Sequence, residues 1–203
     1  MQHPVPLRES HPTLPIRDLD GGVTTAGRDR VDQLRPVDQE LFDTLRHRQV
    51  AMVAVVTAVA RNTRSAGLRE PLRAGFTATS FTTVSVRPPR VSFCYDTTTP
   101  VAAVLDRAEH VGVHLLAANQ TEAAAVFGTV GVDPFAAYPY WESGPFGLPL
   151  LTGVPGRMLC RVVHRVPTGD QTLVIAEPLA LSVGIDGDPL LHHRGSHATA
   201  TPR

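Results

Sequence analysis

Gly75-Phe76-Thr77-Ala78-Thr79-Ser80-Phe81-Thr82-Thr83-Val84-Ser85-Val86-Arg87-Pro88-Pro89 is the stretch on which the fold of this 203-residue chain turns. Threonine, valine and phenylalanine alternate with small or polar residues from Phe76 to Val86, which predicts one strand there. Arg87-Pro88-Pro89 ends it, since proline has no ladder N–H to offer. Val91-Ser92-Phe93-Cys94-Tyr95 predicts the next strand. Upstream, Val50-Ala51-Met52-Val53-Ala54-Val55-Val56-Thr57 is a continuous, β-branched apolar run and predicts a single buried strand. The polar stretch 61–73, with Gly67 and Pro71, would join these two as a hairpin connection.

Further outward, Pro36 precedes a helical pattern from Asp38 to Arg46. Acids come early, Arg46 and Arg48 come late, and Leu41, Phe42 and Leu45 share one face. On the other side, Thr99 suits an N-cap and Pro100 a first helical residue, with Val101, Val104 and Leu105 turned inward. Val111 to Leu116 predicts a strand. Asn119 is the expected cap of a short helix packing Ala123, Val126 and Phe127, and 133–150 reads as a long loop. Arg157 to Val166 and Gln171 to Val183 predict strands joined by a Pro167-Thr168-Gly169-Asp170 turn. Asp186-Gly187 marks a last turn before Leu190-Leu191. Six or so strands and two or three short helices imply a mainly β, antiparallel barrel or sandwich, not a doubly wound sheet. Residues 1–35 read as an irregular proline-rich arm, 36–197 as the folded domain and 198–203 as a disordered tail.

The charge balance narrows the function. Nineteen basic and nineteen acidic residues give zero net charge, and every basic residue is arginine. No basic block offers the positive field that nucleic acid or an anionic membrane requires. No apolar run approaches the roughly 20 residues of a membrane span, and Met1 to Asp20 lacks the apolar core of a secretory signal. Two cysteines without a CxxC pair point to a reduced, cytoplasmic protein. Dinucleotide fingerprints of the GxGxxG type and P-loops are absent, and without lysine there is no Schiff-base chemistry. His192, His193 and His197 do not make a convincing metal set, and no metal is expected. Cys160 reads as core, Asp170 as a turn-former, and Glu177 as a carboxylate paired with an arginine or facing solvent.

The stretch 75–89 resembles the motif strand of the flavin reductase family with the FMN-binding split-barrel fold: G-x-T-A-x-S-F-x-S-V-S, then a short gap and P-P. The resemblance continues through Val113-His114-Leu115-Leu116 with Gln120 and Phe127. It takes in Gly147-Leu148-Pro149-Leu150-Leu151, Gly169-Asp170-Gln171-Thr172 and Pro189-Leu190-Leu191-His192-His193-Arg194-Gly195, in the family's order over roughly residues 38 to 197. It implies an antiparallel Greek-key split barrel with a few short flanking helices. It further implies a homodimer that binds FMN or FAD near the subunit interface, with NAD(P)H as co-substrate.

Under that resemblance, Thr77, Ala78, Thr79 and Ser80 would bind the flavin ring, since small side chains let it approach the backbone. Thr83, Cys94, His114 and Leu115 join the cofactor set. Thr97, Thr98 and Thr99 would cradle phosphate ahead of a helix start, and Gln171 and Arg194 would line the nicotinamide side. Any cation at the phosphate must be arginine; Arg194, Arg90 and Arg107 are the candidates. The chain departs from the family in three places: Gln171 replaces a histidine, Ser196-His197 replaces the usual R-Y after R-G, and Thr79 replaces an asparagine of the motif strand. Gln171 can hydrogen-bond at both ends but cannot titrate. The implied function is NAD(P)H-driven flavin reduction feeding a partner monooxygenase. The alternatives are a diverged enzyme of secondary metabolism acting on a small organic substrate in the flavin pocket, and a non-catalytic flavin or ligand carrier.

Overall fold

The apolar run around Val53 does not form one strand. The computed structural model describes residues 37–60 and 72–199, and in it the run divides into β1 (Val50–Met52) and β2 (Ala54–Ala60). These two strands belong to different sheets. Val53 is the joint: its N–H donates to the Leu190 carbonyl at 2.9 Å, and its own carbonyl accepts from Leu116 N–H at 3.3 Å. An unbroken apolar run has no polar residue to mark such a switch, so its periodicity could not show it.

The 76–86 stretch divides in the same way. β3 (Leu72–Ala78) ends before Thr79, and β4 (Thr82–Val86) starts three residues later. β5 (Pro89–Asp96) follows the predicted proline break. Next come α2 (Ala102–Leu105), after the leading helix α1 (Gln39–Arg46), then β6 (His110–Leu115) and α3 (Thr121–Gly128). The segment expected as a loop holds structure of its own: α4 (Pro134–Ala137), β7 (Trp141–Ser143), a 3₁₀ turn over Pro145–Gly147 and β8 (Pro149–Leu151). Elements of three or four residues are too short to show a period. A long hairpin, β9 (Gly156–Thr168) and β10 (Gln171–Val183), precedes β11 (Leu190–His193) and β12 (Ser196–Thr199). β12 therefore runs past the boundary placed at residue 197. The proposed arm 1–35, the connection at 61–71 and residues 200–203 lie outside the described residues.

Seven strands form the main sheet in the order β3-β2-β6-β9-β10-β5-β4, and every pairing is antiparallel. β1, β11 and β12 make a second, three-stranded sheet, and β7 pairs with β8. One core fills the barrel, with Val56, Phe93, Tyr95, Val113, Cys160 and Val174 at its centre. A second lies where Val53, Val55, Leu116, Phe127, Leu151 and Leu190 meet on the outer side of β2 and β6. Burial pushes the Cys160 thiol up to about 12, as suits an inert core residue.

Three helix starts differ from expectation. α2 begins at Ala102, with Val101 at its cap, rather than at Pro100. α3 follows Gln120, not Asn119. Gln120 instead clasps the preceding turn, accepting from Ala117 N–H at 2.9 Å and donating to the Gly153 carbonyl at 3.0 Å. Asp38, read as part of the helix, is instead its N-cap, accepting from Leu41 N–H at 2.7 Å, and the Leu41, Phe42 and Leu45 face of α1 is exposed. Among the described residues no helix is long and apolar enough to cross a membrane.

Candidate functional site

β3 is an outer strand of the main sheet, with β2 as its one strand partner. Arg73 through Ser80, eight consecutive residues, all border one cavity of about 480 Å³. A strand sends alternate side chains to opposite faces. A hollow that touches every residue in turn must therefore follow the strand's edge. Cys94, Tyr95 and Asp96 at the end of β5 form the facing wall. Thr99, Pro100, Val101 and Val104 contribute from the turn and helix beyond it, and Val126 to Pro134 close the remaining side.

The predicted ring-binding set, Thr77, Ala78, Thr79 and Ser80, lies on this cavity, as does Cys94. Their roles divide. Thr77 donates its hydroxyl to the Ala124 carbonyl at 2.7 Å, tying β3 to α3. Ser80 accepts from Cys94 N–H at 2.8 Å and so latches the β3–β4 corner onto β5. Thr79 is exposed, and its hydroxyl makes no hydrogen bond among the described residues. Its place on the cavity wall leaves that hydroxyl facing open space.

Thr99 reaches the cavity, but Thr97 and Thr98 do not border it. Their polar groups are engaged within the turn. Thr97 donates to the Asp170 carbonyl at 3.0 Å, and Thr99 to the Asp96 carbonyl at 2.8 Å. The Asp96 carboxylate takes the Thr98 hydroxyl at 2.6 Å and the Thr98 amide at 2.7 Å. Those two bonds hold the Asp96 carboxyl below the usual range. The turn thus carries its own anion where a phosphate was expected, and the four-residue helix behind it adds little dipole.

Thr83 on β4 is exposed, and Leu115 packs on the barrel core; neither borders the cavity. Gln171 stands opposite Asp96 in the β5–β10 pair, so the two side chains leave the same face, though only Asp96 lines the cavity. Arg194 occupies the β11–β12 turn at φ 52° and borders a separate hollow beside α1, with Asp43, His47 and Arg48. Of the other candidate cations, Arg90 pairs with Glu177 at 3.2 Å and Arg107 donates to the Ala103 carbonyl at 2.8 Å. The sequence reading missed Tyr95, Asp96, Arg73 and the 126–134 wall. Only their place in space, not a motif, brings them to the site.

The cavity fits a flavin in kind. A strand edge offers backbone groups, and Phe76, Val101, Val104 and Val126 provide apolar surface beside the free Thr79 hydroxyl. Among the described residues no group of three or more metal-ligating side chains converges.

An antiparallel split barrel with such a cleft defines a flavin-handling class of oxidoreductase. The family model described as "Flavin reductase like domain" matches residues 46–201, and the chain belongs to that family. Over 132 residues it is 37% identical to an NADH:FMN oxidoreductase of Rhodococcus qingshengii, covering 63% of this chain and 69% of that one. Over 128 residues it is 32% identical to HsaB, the reductase subunit of a flavin-dependent monooxygenase in Rhodococcus jostii, covering 63% and 65%. Among solved structures, the NADH:FAD oxidoreductase SgcE6 of Streptomyces globisporus C-1027, in complex with NAD and FAD fragments, matches with a TM-score of 0.70. The identity there is 25%, with 83% of this chain and 98% of that one covered.

His114, assigned to the cofactor set by resemblance, lies elsewhere. It is fully buried beside Val55, with Nδ1 3.0 Å from the Val55 carbonyl and Nε2 without a partner. Burial, aided by the nearby Arg157 charge, lowers its pKa from 6.5 to about 4. Its histidine form is therefore neutral in the fold, while the unfolded chain takes up a proton below 6.5. Stability from this group is whole above pH 6.5, falls as pH drops toward 4, and levels below. The full loss is about 3 kcal/mol. We expect His114→Gln to flatten the unfolding free energy over that window relative to the parent, measured by urea denaturation at stepped pH. Parallel curves would show that His114 does not carry the effect.

Proposed function

We propose that this protein is an NADH-dependent flavin reductase that supplies reduced FMN or FAD to a separate monooxygenase. The observation that carries this is the position of the 77–80 motif, four residues on the edge-strand cleft of a chain in the flavin reductase like family. A flavin bound there supplies the two-electron chemistry. The chain's own part is to present the β3 edge and the Thr79 hydroxyl to the ring, and to keep water off one side with Val101 and Val104. No side-chain base is required for that role, and among the described residues none borders the cleft except the carboxylates of Asp96 and Asp133. The names of the Rhodococcus relatives support the nicotinamide and the monooxygenase partner. Because NADH would be its reductant and both cysteines are free thiols, we place it in the cytoplasm.

Purified protein should quench FMN or FAD fluorescence on titration and should oxidise NADH only when flavin is added. Flavin binding without NADH oxidation would favour the carrier reading, and absence of binding would remove the proposal.

Gln171 stands beside the Asp96 carboxylate, at the position where the family has histidine. We expect Gln171→His to change KM for NADH several-fold while flavin affinity stays within twofold. Unchanged steady-state constants would take Gln171 out of the nicotinamide site.

A homodimer belongs to the same reading. Beyond the end of its pairing with β5, β10 exposes Leu179, Leu181 and Val183 at alternate positions, with Ile185 following; Leu181 is 69% and Val183 90% exposed. Val84 and Val86 on β4 are also exposed. Such a stripe is costly in water and suits burial against a second copy. Sedimentation should give a dimer for the parent and a monomer for Leu181→Glu; a monomeric parent would refute this.

A further inference from the structure

We propose that His192 and His197 form a two-histidine site for a late first-row divalent cation such as Zn²⁺, on the β11–β12 hairpin and away from the cleft. The inference stands apart from the flavin-reductase reading and does not need it.

The register of the hairpin brings the pair together. β11 and β12 run antiparallel without a shift, with His193 opposite Ser196 and His192 opposite His197. Arg194 and Gly195 join the strands at φ 52° and 77°. Two successive positive φ values make a two-residue type I′ turn, whose twist suits a hairpin and fixes its register. Across such a turn the flanking pair, His193 and Ser196, exchanges both backbone hydrogen bonds. The next pair, His192 and His197, is then of the non-hydrogen-bonded kind, with Cα atoms about 4.5 Å apart and side chains closest on a shared face. Two imidazole nitrogens bound to one tetrahedral ion, each about 2.1 Å from it, stand roughly 3.4 Å apart. Neighbouring rings on one face reach that spacing by rotamer choice alone.

Strand alternation also explains why the three histidines look unconvincing as a set in the sequence. His193 leaves the opposite face of the hairpin, in register with Val50 of β1. The β1 neighbour of His192 is Ala51, whose methyl group leaves room beside the ring. His192 is half-buried and His197 exposed, so packing steadies one ring while the other stays open to an incoming ion. Among the described residues β12 pairs only with β11, so an ion held by both strands would clamp an edge strand in place. Imidazole selects zinc-like ions, whereas Mg²⁺ and Ca²⁺ prefer oxygen ligands. With two protein ligands rather than three or more, the remaining positions fall to water, and the site binds more weakly than a closed structural zinc site.

The test is isothermal titration of the chelator-stripped full chain with Zn²⁺, and with Mg²⁺ as control ion, for the parent, His192→Ala, His197→Tyr and His193→Ala. The parent should show a saturable Zn²⁺ site of micromolar affinity and none for Mg²⁺. Loss of either ring should weaken Zn²⁺ about tenfold or more, since losing even a group that only orients a metal ligand costs that much. His193→Ala should stay within twofold of the parent. Tyrosine favours strands, so His197→Tyr removes the ligand while keeping the character of β12. A parent with no saturable Zn²⁺ site below about 1 mM would overturn the proposal. So would Zn²⁺ affinity unchanged in His192→Ala and His197→Tyr, or weakened as much by His193→Ala as by them. A measurement on the parent alone keeps the test independent of variant folding. In its NMR spectrum the ring signals of His192 and His197 should move together on Zn²⁺ addition while those of His193 stay; movement confined to other histidines would refute the site.

Discussion

Three residues, Thr79 to Phe81, join β3 to β4, and those strands are the two opposite edges of a seven-stranded sheet. In a flat sheet the edges would stand six strand spacings apart, about 29 Å at roughly 4.8 Å each. Ala78 to Thr82 is four chain steps, about 14 Å fully extended. A flat sheet is therefore impossible for this chain, and the sheet must curl until its edges nearly meet. The barrel, its packed interior and its cleft follow from that length limit.

The closure is incomplete, and the cleft occupies the gap. Ser80 latches the β3–β4 corner to the Cys94 amide of β5, so the two edges are held together at that end. Farther along, β3 gains no strand neighbour across the gap, and its residues border open space. A free strand edge is elsewhere a risk for aggregation; here side chains from α2 and the 126–134 segment flank it. The same edge is what a flat heteroaromatic ligand with donors and acceptors on its rim can pair with. Scaffold and cleft thus share residues: Thr77 and Ser80 fix the cleft's walls, while Thr79 borders the open space between them.

The strands were legible in the sequence because β-branched runs and the Pro88-Pro89 break are local signals. So was the cleft, because Thr77 to Ser80 form one contiguous motif. The sheet switches were not legible. Apolar character continues through Val53, and the alternation of Phe76 to Val86 continues through Thr79 to Phe81, so the pattern passes across both corners unbroken. Nor could composition show that the hydroxyls of Thr98 and Thr99 bond back to Asp96 while that of Thr97 reaches the Asp170 carbonyl in the β9–β10 turn, since that depends on the two turns converging. His114 sits away from the cleft for a third reason. Resemblance aligned its strand, but facing Val55 turns its side chain into the second core, beneath the β7–β8 hairpin.

The absence of lysine has structural consequences once the fold is known. Arg165 directs both arms of its guanidinium at the C-terminal end of α2, donating to the Leu105 carbonyl at 2.7 and 3.0 Å and to the Ala108 carbonyl. Those carbonyls have no partner within a four-residue helix. Glu177 is gripped from two strands, by Arg161 and Arg90, and the Arg161 bond above all holds its carboxyl below the ordinary range. Arg157 spans from Glu142 at 2.7 Å to the Leu151 carbonyl at 3.4 Å. Each arrangement uses a planar fork with several fixed donors, which a single ammonium does not reproduce. The Arg165 contact matters most for the site, because α2 carries Val104 and is preceded by Val101 on the cleft wall. A helix of one turn is not stable alone. Fixing its carbonyl end to β9 gives that wall a definite place opposite the β3 edge, and so sets the width of the cleft between them.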